Sequence, residues 1–297
     1  MKQLSLIIIL ISVCILPLHS QISYVPGGGD PLGYHPRIDT LDTYSIQVKY
    51  EMKFVPDTLA RDNYNTVTTV LNLSPKGLSF FREYGWFRSD SVAAHHLENG
   101  KIRHSISNMA YKYMGKTYDN YIIVKSWPEK RALFYVGLIG LEGRFEYTED
   151  MPDFGWKINF NQTKEIAGYI CHAAKGNYAG RDYQAWFTTD IPISDGPWKF
   201  QGLPGLILEV SSSDNEYIYT CMSIRQTEGP LYVVGRDKSF KTTREKFLKA
   251  KKKYETNPAK ALAAMSSKIQ SNLNLKNHAD VPTIRKRNIS ILCLLLV

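Results

Sequence analysis

From Tyr44 to Phe54 apolar and polar residues alternate without a break. Tyr44, Ile46, Val48, Tyr50, Met52 and Phe54 fall on one side, and Ser45, Gln47, Lys49, Glu51 and Lys53 on the other. A period of two marks a strand with one buried face and one wet face. Shorter stretches of the same kind predict strands at residues 66–73, 78–84, 121–125, 132–136, 144–149, 156–160, 165–174, 181–188, 216–225 and 231–234. Residues 206–210 are a continuous apolar run, as expected of a strand buried on both faces. Clusters of Asn, Asp, Gly and Pro separate these runs, and no long helical period lies between them. That pattern predicts antiparallel pairing rather than βαβ units.

Helix is predicted only late. Thr242-x-x-Glu245 reads as a capping box, and Phe247, Ala250 and Tyr254 share one helical face. Asn257-Pro258 stops that helix and opens a second, carrying Leu262, Met265 and Ile269. These helices are expected to cover one opening or face of the sheet. The fold class is therefore mostly β with C-terminal helices (α+β), built on a large curved antiparallel sheet or half-barrel.

The densest stretch is Trp198 to Val210, centred on Gly202-Leu-Pro-Gly-Leu-Ile207. Pro204-Gly205 is expected to form a type II turn, with Pro204 setting the first φ and Gly205 supplying a positive second φ. The strand that follows is expected to enter the core beside Trp186 and Trp198. Trp186, Phe187, Trp198 and Phe200 form either that core or the lining of a hydrophobic pocket, and core is the reading preferred.

The N-terminus changes the setting. Lys2, an apolar run from Leu4 to Leu18 and the small Ser20 make a signal peptide, cleaved after Ser20. An uncleaved anchor is the weaker reading, because the run is shorter than a spanning helix. Cys14 is not a good lipobox cysteine, since Val13 stands where a small residue belongs. The chain then divides into a signal peptide (1–20), a flexible leader (21–42) and an antiparallel β domain (43–235). A basic helical segment (236–272) and a poorly defined tail (273–297) complete it.

The net charge of +9 is uneven: residues 236–287 carry +11 and residues 21–235 carry −3. A solvated basic helix accounts for this better than a nucleic-acid footprint, so no nucleic-acid partner is expected. Cys171, Cys221 and Cys293 remain after cleavage, an odd count and no disulfide framework. Cys171 and Cys221 are either bridged or two buried thiols. Thiols fit better, because a simple meander puts two strands between them.

Signatures of catalysis are missing: there is no Gly-x-Ser-x-Gly elbow, His-Glu-x-x-His, phosphate loop or Cys-x-x-Cys. His95-His96-Leu97-Glu98, with His104 nearby, is the nearest approach to a metal cluster and reads better as a solvated polar loop. Cys171 and His172 are strand neighbours facing opposite ways, which defeats a nucleophile pair. Glu149-Asp150 and Asp190 with Asp195 stand in turn-like contexts. No catalytic, cofactor-binding or metal-binding residue is assigned, and no cofactor is expected.

Gly168-Tyr-x-Cys171, Gly180-Arg181-x-Tyr-x-Ala-Trp186-Phe187-Thr, Ile191-Pro192-Ile, Gly196-Pro197-Trp198-Lys199-Phe200 and Gly202-Leu-Pro-Gly-Leu-Ile207 resemble the GLPGLI family of exported Bacteroidota proteins, also called the Porph_ging domain. The resemblance runs in order through most of residues 44–225. It implies no activity and no functional residue. It does imply an envelope role, because members often look like companions of TonB-dependent outer-membrane receptors. The family's Cys-Gln-Lys-Ala stands here as Cys171-His-Ala-Ala, and the C-terminal apolar run departs from the family's usual acidic close. The long strands and the Trp-to-Gly-Leu-Pro turn are also similar to periplasmic lipoprotein-carrier folds, an analogy of fold only.

The expected function is that of an exported cell-envelope protein, in the periplasm or at the outer membrane, binding a ligand or assisting outer-membrane components. Its expected partners are a TonB-dependent receptor or other outer-membrane protein, and a hydrophobic ligand such as a lipid or peptide, presented with an aromatic concave face of the curved sheet. The alternatives are a hydrolase or peptidase using His95, His96 or Glu98, and a ligand-free structural protein.

Overall fold

The computed structural model describes residues 38–56, 61–98, 120–137, 144–236 and 239–256. Its strands are β1 (Ile38–Phe54), β2 (Asn65–Leu73), β3 (Leu78–Glu83), β4 (Asn120–Ser126), β5 (Arg131–Gly137) and β6 (Arg144–Asp150). They continue as β7 (Lys157–Ile166), β8 (Tyr169–Tyr178), β9 (Arg181–Thr188), β10 (Leu206–Ser212), β11 (Tyr217–Val234) and β12 (Ser239–Lys241). All twelve join one sheet, in the order β12-β6-β5-β4-β3-β2-β1-β11-β10-β9-β8-β7. Every neighbouring pair is antiparallel except β12 beside β6. Helix α1 (Tyr84–Glu98) follows β3, and α2 (Arg244–Thr256) follows β12. The mostly-β fold read from the alternation is what forms.

The sheet curls tightly around its own interior. In a flat sheet, strands spaced about 4.8 Å apart would put β6 and β8 roughly 40 Å from one another. Yet Lys199, on the connection before β10, contacts Glu149 of β6 and lies 6.0 Å from the ring of Tyr178 in β8. Its neighbour Trp198 meets the same Tyr178 at 6.3 Å. One short stretch of chain therefore touches both arms of the sheet, which remains open between β7 and β12.

Alternation sorts the side chains onto two faces. Val48, Tyr50, Met52, Phe81, Ile123 and Phe134 belong to the large inner core, while Phe80, Ile122, Val124 and Tyr135 form a smaller outer cluster that includes Phe87 of α1. Tyr44 was expected beside Val48 but joins the outer cluster. Register shifts in the β1–β11 pairing, between Thr40 and Asp42 and between Tyr44 and Ile46, break the period-two rule there.

Several expected boundaries move. The run 165–174 straddles a two-residue hairpin at Ala167 (φ 52°) and Gly168 (φ 85°), between the paired Ile166 and Tyr169. Two left-handed residues make the turn that matches strand twist, and Ala179-Gly180 repeats it before β9. The runs 216–225 and 231–234 are one strand, β11, because the 17-residue β1 supplies a partner along its whole length and absorbs Gly229 and Pro230. Residues 38–42, read as the end of the leader, pair with the end of β11. Helix α1 was not expected at all. Helix α2 is capped by Thr243 rather than Thr242: the Lys246 N–H donates to Thr243 Oγ1 at 3.3 Å, while the Thr242 N–H is taken by Glu146 O. The expected helix after Pro258, the leader before Ile38 and the tail lie outside the described residues.

Asp42 illustrates how a β1 carboxylate is held. Ser74 Oγ donates to it, and Lys76 Nζ lies 3.1 Å away. The hydroxyl first, then the Thr43 N–H and Lys76, keep this carboxyl below its ordinary range despite burial. A depressed carboxyl contributes stability that is complete above its unfolded pKa of about 4 and lost as pH falls through the folded value. Asp42→Asn is therefore expected to lower the melting temperature by about 3 °C at pH 7, with the gap closing as the carboxyl is protonated in acid. A gap independent of pH would assign the effect to shape alone.

Candidate functional site

The connection from β9 to β10, residues 189–205, carries the Gly-Leu-Pro-Gly motif and runs through the protein's interior. Asp195, Gly196, Pro197, Trp198, Lys199 and Phe200 are buried consecutively. Loops normally stay at the surface because their backbone needs hydrogen-bond partners. Here the sheet supplies them. Lys125 of β4, wholly buried, ion-pairs with Asp195 and donates to Gly196 O at 2.6 Å. Trp127 Nε1 donates to Asp195 Oδ2 at 3.0 Å, and the Gly196 N–H to Oδ1 at 2.6 Å. The start of β10 is tied to the same loop, with Leu206 N donating to Ile191 O and Ile207 N to Asp195 O. Tyr50 of β1 closes the arrangement by donating to Ile207 O at 2.8 Å.

At the loop's other end Lys199 ion-pairs with Glu149, whose second oxygen meets Arg244 of α2 at 3.2 Å. The ammonium also lies 5.1 Å from the rings of Phe134 and Trp198. Burial lowers the Lys199 pKa, Glu149 opposes this, and Arg244 adds to it. Phe200 packs between Phe154 at 5.1 Å and Tyr183 at 5.0 Å. The concave face is thus filled by the protein's own motif. Phe187, Trp198 and Phe200 are core, while Trp186 is half-buried with Lys164 Nζ 4.4 Å over its ring.

The motif's glycines differ from expectation. Gly205 does not have a positive φ; Gly202 does, at 92°. Gly205 is required by proximity instead. A Cβ there would lie 2.0 Å from the carbonyl oxygen of Thr188, where the end of β9 crosses it.

The residues with catalytic or metal-binding side chains do not converge. Cys171 and Cys221 are free and buried, and burial pushes their thiols up to about 11 and about 12, far from a reactive thiolate. The His172 ring packs on Phe160 and Phe187, with Nδ1 3.1 Å from Phe160 O. Glu149 serves Lys199 and Arg244, and Asp195 serves Lys125, so neither forms a carboxylate pair. His95 lies on α1, not in the expected loop; the side chains of His96 and Glu98, and His104, lie outside the described residues. Among the described residues no three His, Cys, Asp or Glu side chains gather to hold a metal.

Among the described residues, an opening to solvent lies on the outer face. A groove of about 860 Å³ runs between α1 and the β1–β11 pair. Tyr44, Tyr84 and Phe87 give it an aromatic wall, and Arg88, Arg225 and Glu228 its charges. Phe87 stacks on Tyr84 at 6.2 Å and meets Tyr44 edge-on at 6.5 Å. The opposite side of α1 anchors it, with buried Arg82 donating to Asp90 at 2.7 Å and to Asn120 at 2.9 Å. The alternation rule overlooked these residues, which are linked by a helical spacing that is only half apolar. Tyr84, Phe87, Arg88, Ser91, Val92 and His95 recur at helical spacing, and all line the groove.

Residues 177–209 match the family described as "Protein of unknown function (Porph_ging)", the family that the motifs resemble. No curated protein matches the sequence. Among solved structures, PNGF-II is similar with a TM-score of 0.43 and 10% identity, covering 70% of this chain and 32% of its own. The chain thus spans about a third of that protein's length. An uncharacterized conserved protein from Thermus thermophilus gives a TM-score of 0.30 at 8% identity, covering 63% of this chain and 79% of its own. A LolA superfamily protein from Nitrosomonas europaea gives 0.25 at 6% identity, with 63% and 86% covered. Among the described residues no helix is long and apolar enough to cross a membrane.

Proposed function

We propose that this is an exported cell-envelope protein, periplasmic or associated with the outer membrane, that works by binding rather than catalysis. The observation that carries the reading is the division of the two faces. The concave face, where a hydrophobic cargo was expected, is occupied by Trp198, Phe200 and Leu203, all buried. The outer face keeps the aromatic groove beside α1. The ligand site is therefore the groove, and the motif loop is the scaffold that holds the sheet in shape. An outer-membrane receptor is the partner class the family resemblance favours.

The test is native mass spectrometry and lipid extraction of the purified protein beside Ser91→Trp. Ser91 lines the groove, and its hydroxyl donates to the Phe87 carbonyl at 2.8 Å. An indole there fills the groove without entering the core. The expected result is a copurifying amphiphile in the native protein and about tenfold lower occupancy in the variant, at nearly unchanged melting temperature. No bound molecule in either protein, or equal occupancy in both, overturns the groove as the ligand site.

A further inference from the structure

Among the described residues, the lining of the groove carries more basic than acidic side chains. Arg88 and Arg225 line it, against Glu228 as the acidic residue of that lining. Lys49 stands at the same end, its Nζ 3.9 Å over the Tyr84 ring. Burial would raise the Tyr84 pKa, but hydrogen bonds from Lys49 and Arg88 and their charges outweigh it and bring it below its ordinary value. Two cations thus converge on Tyr84 at this end, next to the apolar surface of Tyr44, Phe87 and Pro230. Apolar wall and cationic end together describe a ligand with two parts.

We propose that the groove takes an amphiphile with an anionic head, its apolar part against Tyr44 and Phe87 and its phosphate or carboxylate on Arg88 and Arg225. Guanidinium groups suit this role because their planar donor sets match both anions. The proposal rests on the groove being the ligand site and adds the ligand's chemical class to it.

Calorimetric titration of the purified protein with three probes below their micellar concentrations tests it: oleoyl lysophosphatidic acid, monoolein and inorganic phosphate. The expected result is binding of the lysophosphatidate about tenfold tighter than monoolein, with phosphate alone much weaker than either. In Arg88→Gln/Arg225→Gln the preference is expected to shrink to within about twofold while monoolein binding is kept, which also reports that the groove remains folded. Equal binding of both lipids by the native protein overturns the anionic head and leaves the groove standing. Phosphate binding as tightly as the lysophosphatidate overturns the apolar part. Binding of none of the three, or self-association with no lipid uptake, removes the groove as a lipid site altogether.

Discussion

Gly205→Ala is expected to destabilise the protein by about 3 kcal/mol, as overpacking against fixed backbone does. The added methyl would stand 2.0 Å from Thr188 O and 2.8 Å from its carbonyl carbon. Neither atom belongs to a flexible side chain. Thr188 is paired with Leu206 at the end of β9, and Leu206 follows Gly205 directly, so relief requires β9 and β10 to part where the motif strand begins. Gly202→Ala is the control that separates two uses of glycine. There a Cβ meets Trp156 at 3.6 Å without a clash, and only the left-handed φ opposes it, at about 1–2 kcal/mol. Denaturant unfolding of both variants decides the matter. If the two fall equally, or Gly202→Ala falls further, the close approach is not what makes Gly205 necessary.

Asp195→Asn is expected to lower stability by about 3–5 kcal/mol at pH 7, because it leaves the Lys125 ammonium buried without its counter-charge. Burial already lowers the Lys125 pKa, with Asp195 opposing. Without the carboxylate this opposition is gone and the folded lysine holds its proton more weakly still. The unfolded chain then keeps its proton to higher pH than the folded chain, so stability rises with pH up to the ordinary lysine value of about 10.4. The variant should accordingly recover part of its loss between pH 7 and about 10, with a steeper slope than the native protein. Lys125→Met/Asp195→Leu removes both charges and should regain most of the stability at pH 7, since a buried pair replaced by apolar groups is often neutral. A double variant as weak as the single one would mean that Trp127 Nε1 and the Gly196 N–H depend on the carboxylate as much as Lys125 does.

Residues 181–188 show what a sequence pattern conveys without help. Their expected limits are the observed limits of β9, because alternation, the Ala179-Gly180 turn before them and the polar stretch after them are all local signals. The apolar run after Pro204-Gly205 was legible in the same way, and β10 is the core strand that run implies. β7 was less legible. Its first seven residues, 157–163, are exposed, so no buried face disciplines the pattern, and the strand was expected to end at residue 160. Helix α1 escaped for a related reason. Its apolar residues are divided between the sheet and the groove wall, so neither side forms the broad single stripe that marks a core-facing helix.

The candidate site was less legible than the fold. The alternation in β1 placed Tyr44 on the inner face, and a register shift against β11 moved it to the groove. Gly229 is the counterpart of that move: it pairs with Tyr44, and a Cβ there would lie 2.6 Å from the tyrosine hydroxyl. A bulge depends on two strands, here on residues 44 and 229, which lie 185 apart in the chain, and no window of one strand contains it.

A mostly-β chain, a core strand after the Gly-Leu-Pro turn and the membership of Trp198 and Phe200 in the core follow from periodicity and the bulk of aromatic side chains, all read from near neighbours. The filling of the concave face by residues 189–205, the neutralisation of Lys125 by Asp195 and of Lys199 by Glu149, and the groove between α1 and β11 follow from tertiary structure alone. Each joins partners 50 residues or more apart, and such partners meet only when the sheet has assembled. The demand for glycine at residue 205 is of the second kind as well. A turn rule looks at φ along the chain, whereas the constraint that acts is the backbone of β9 lying across it.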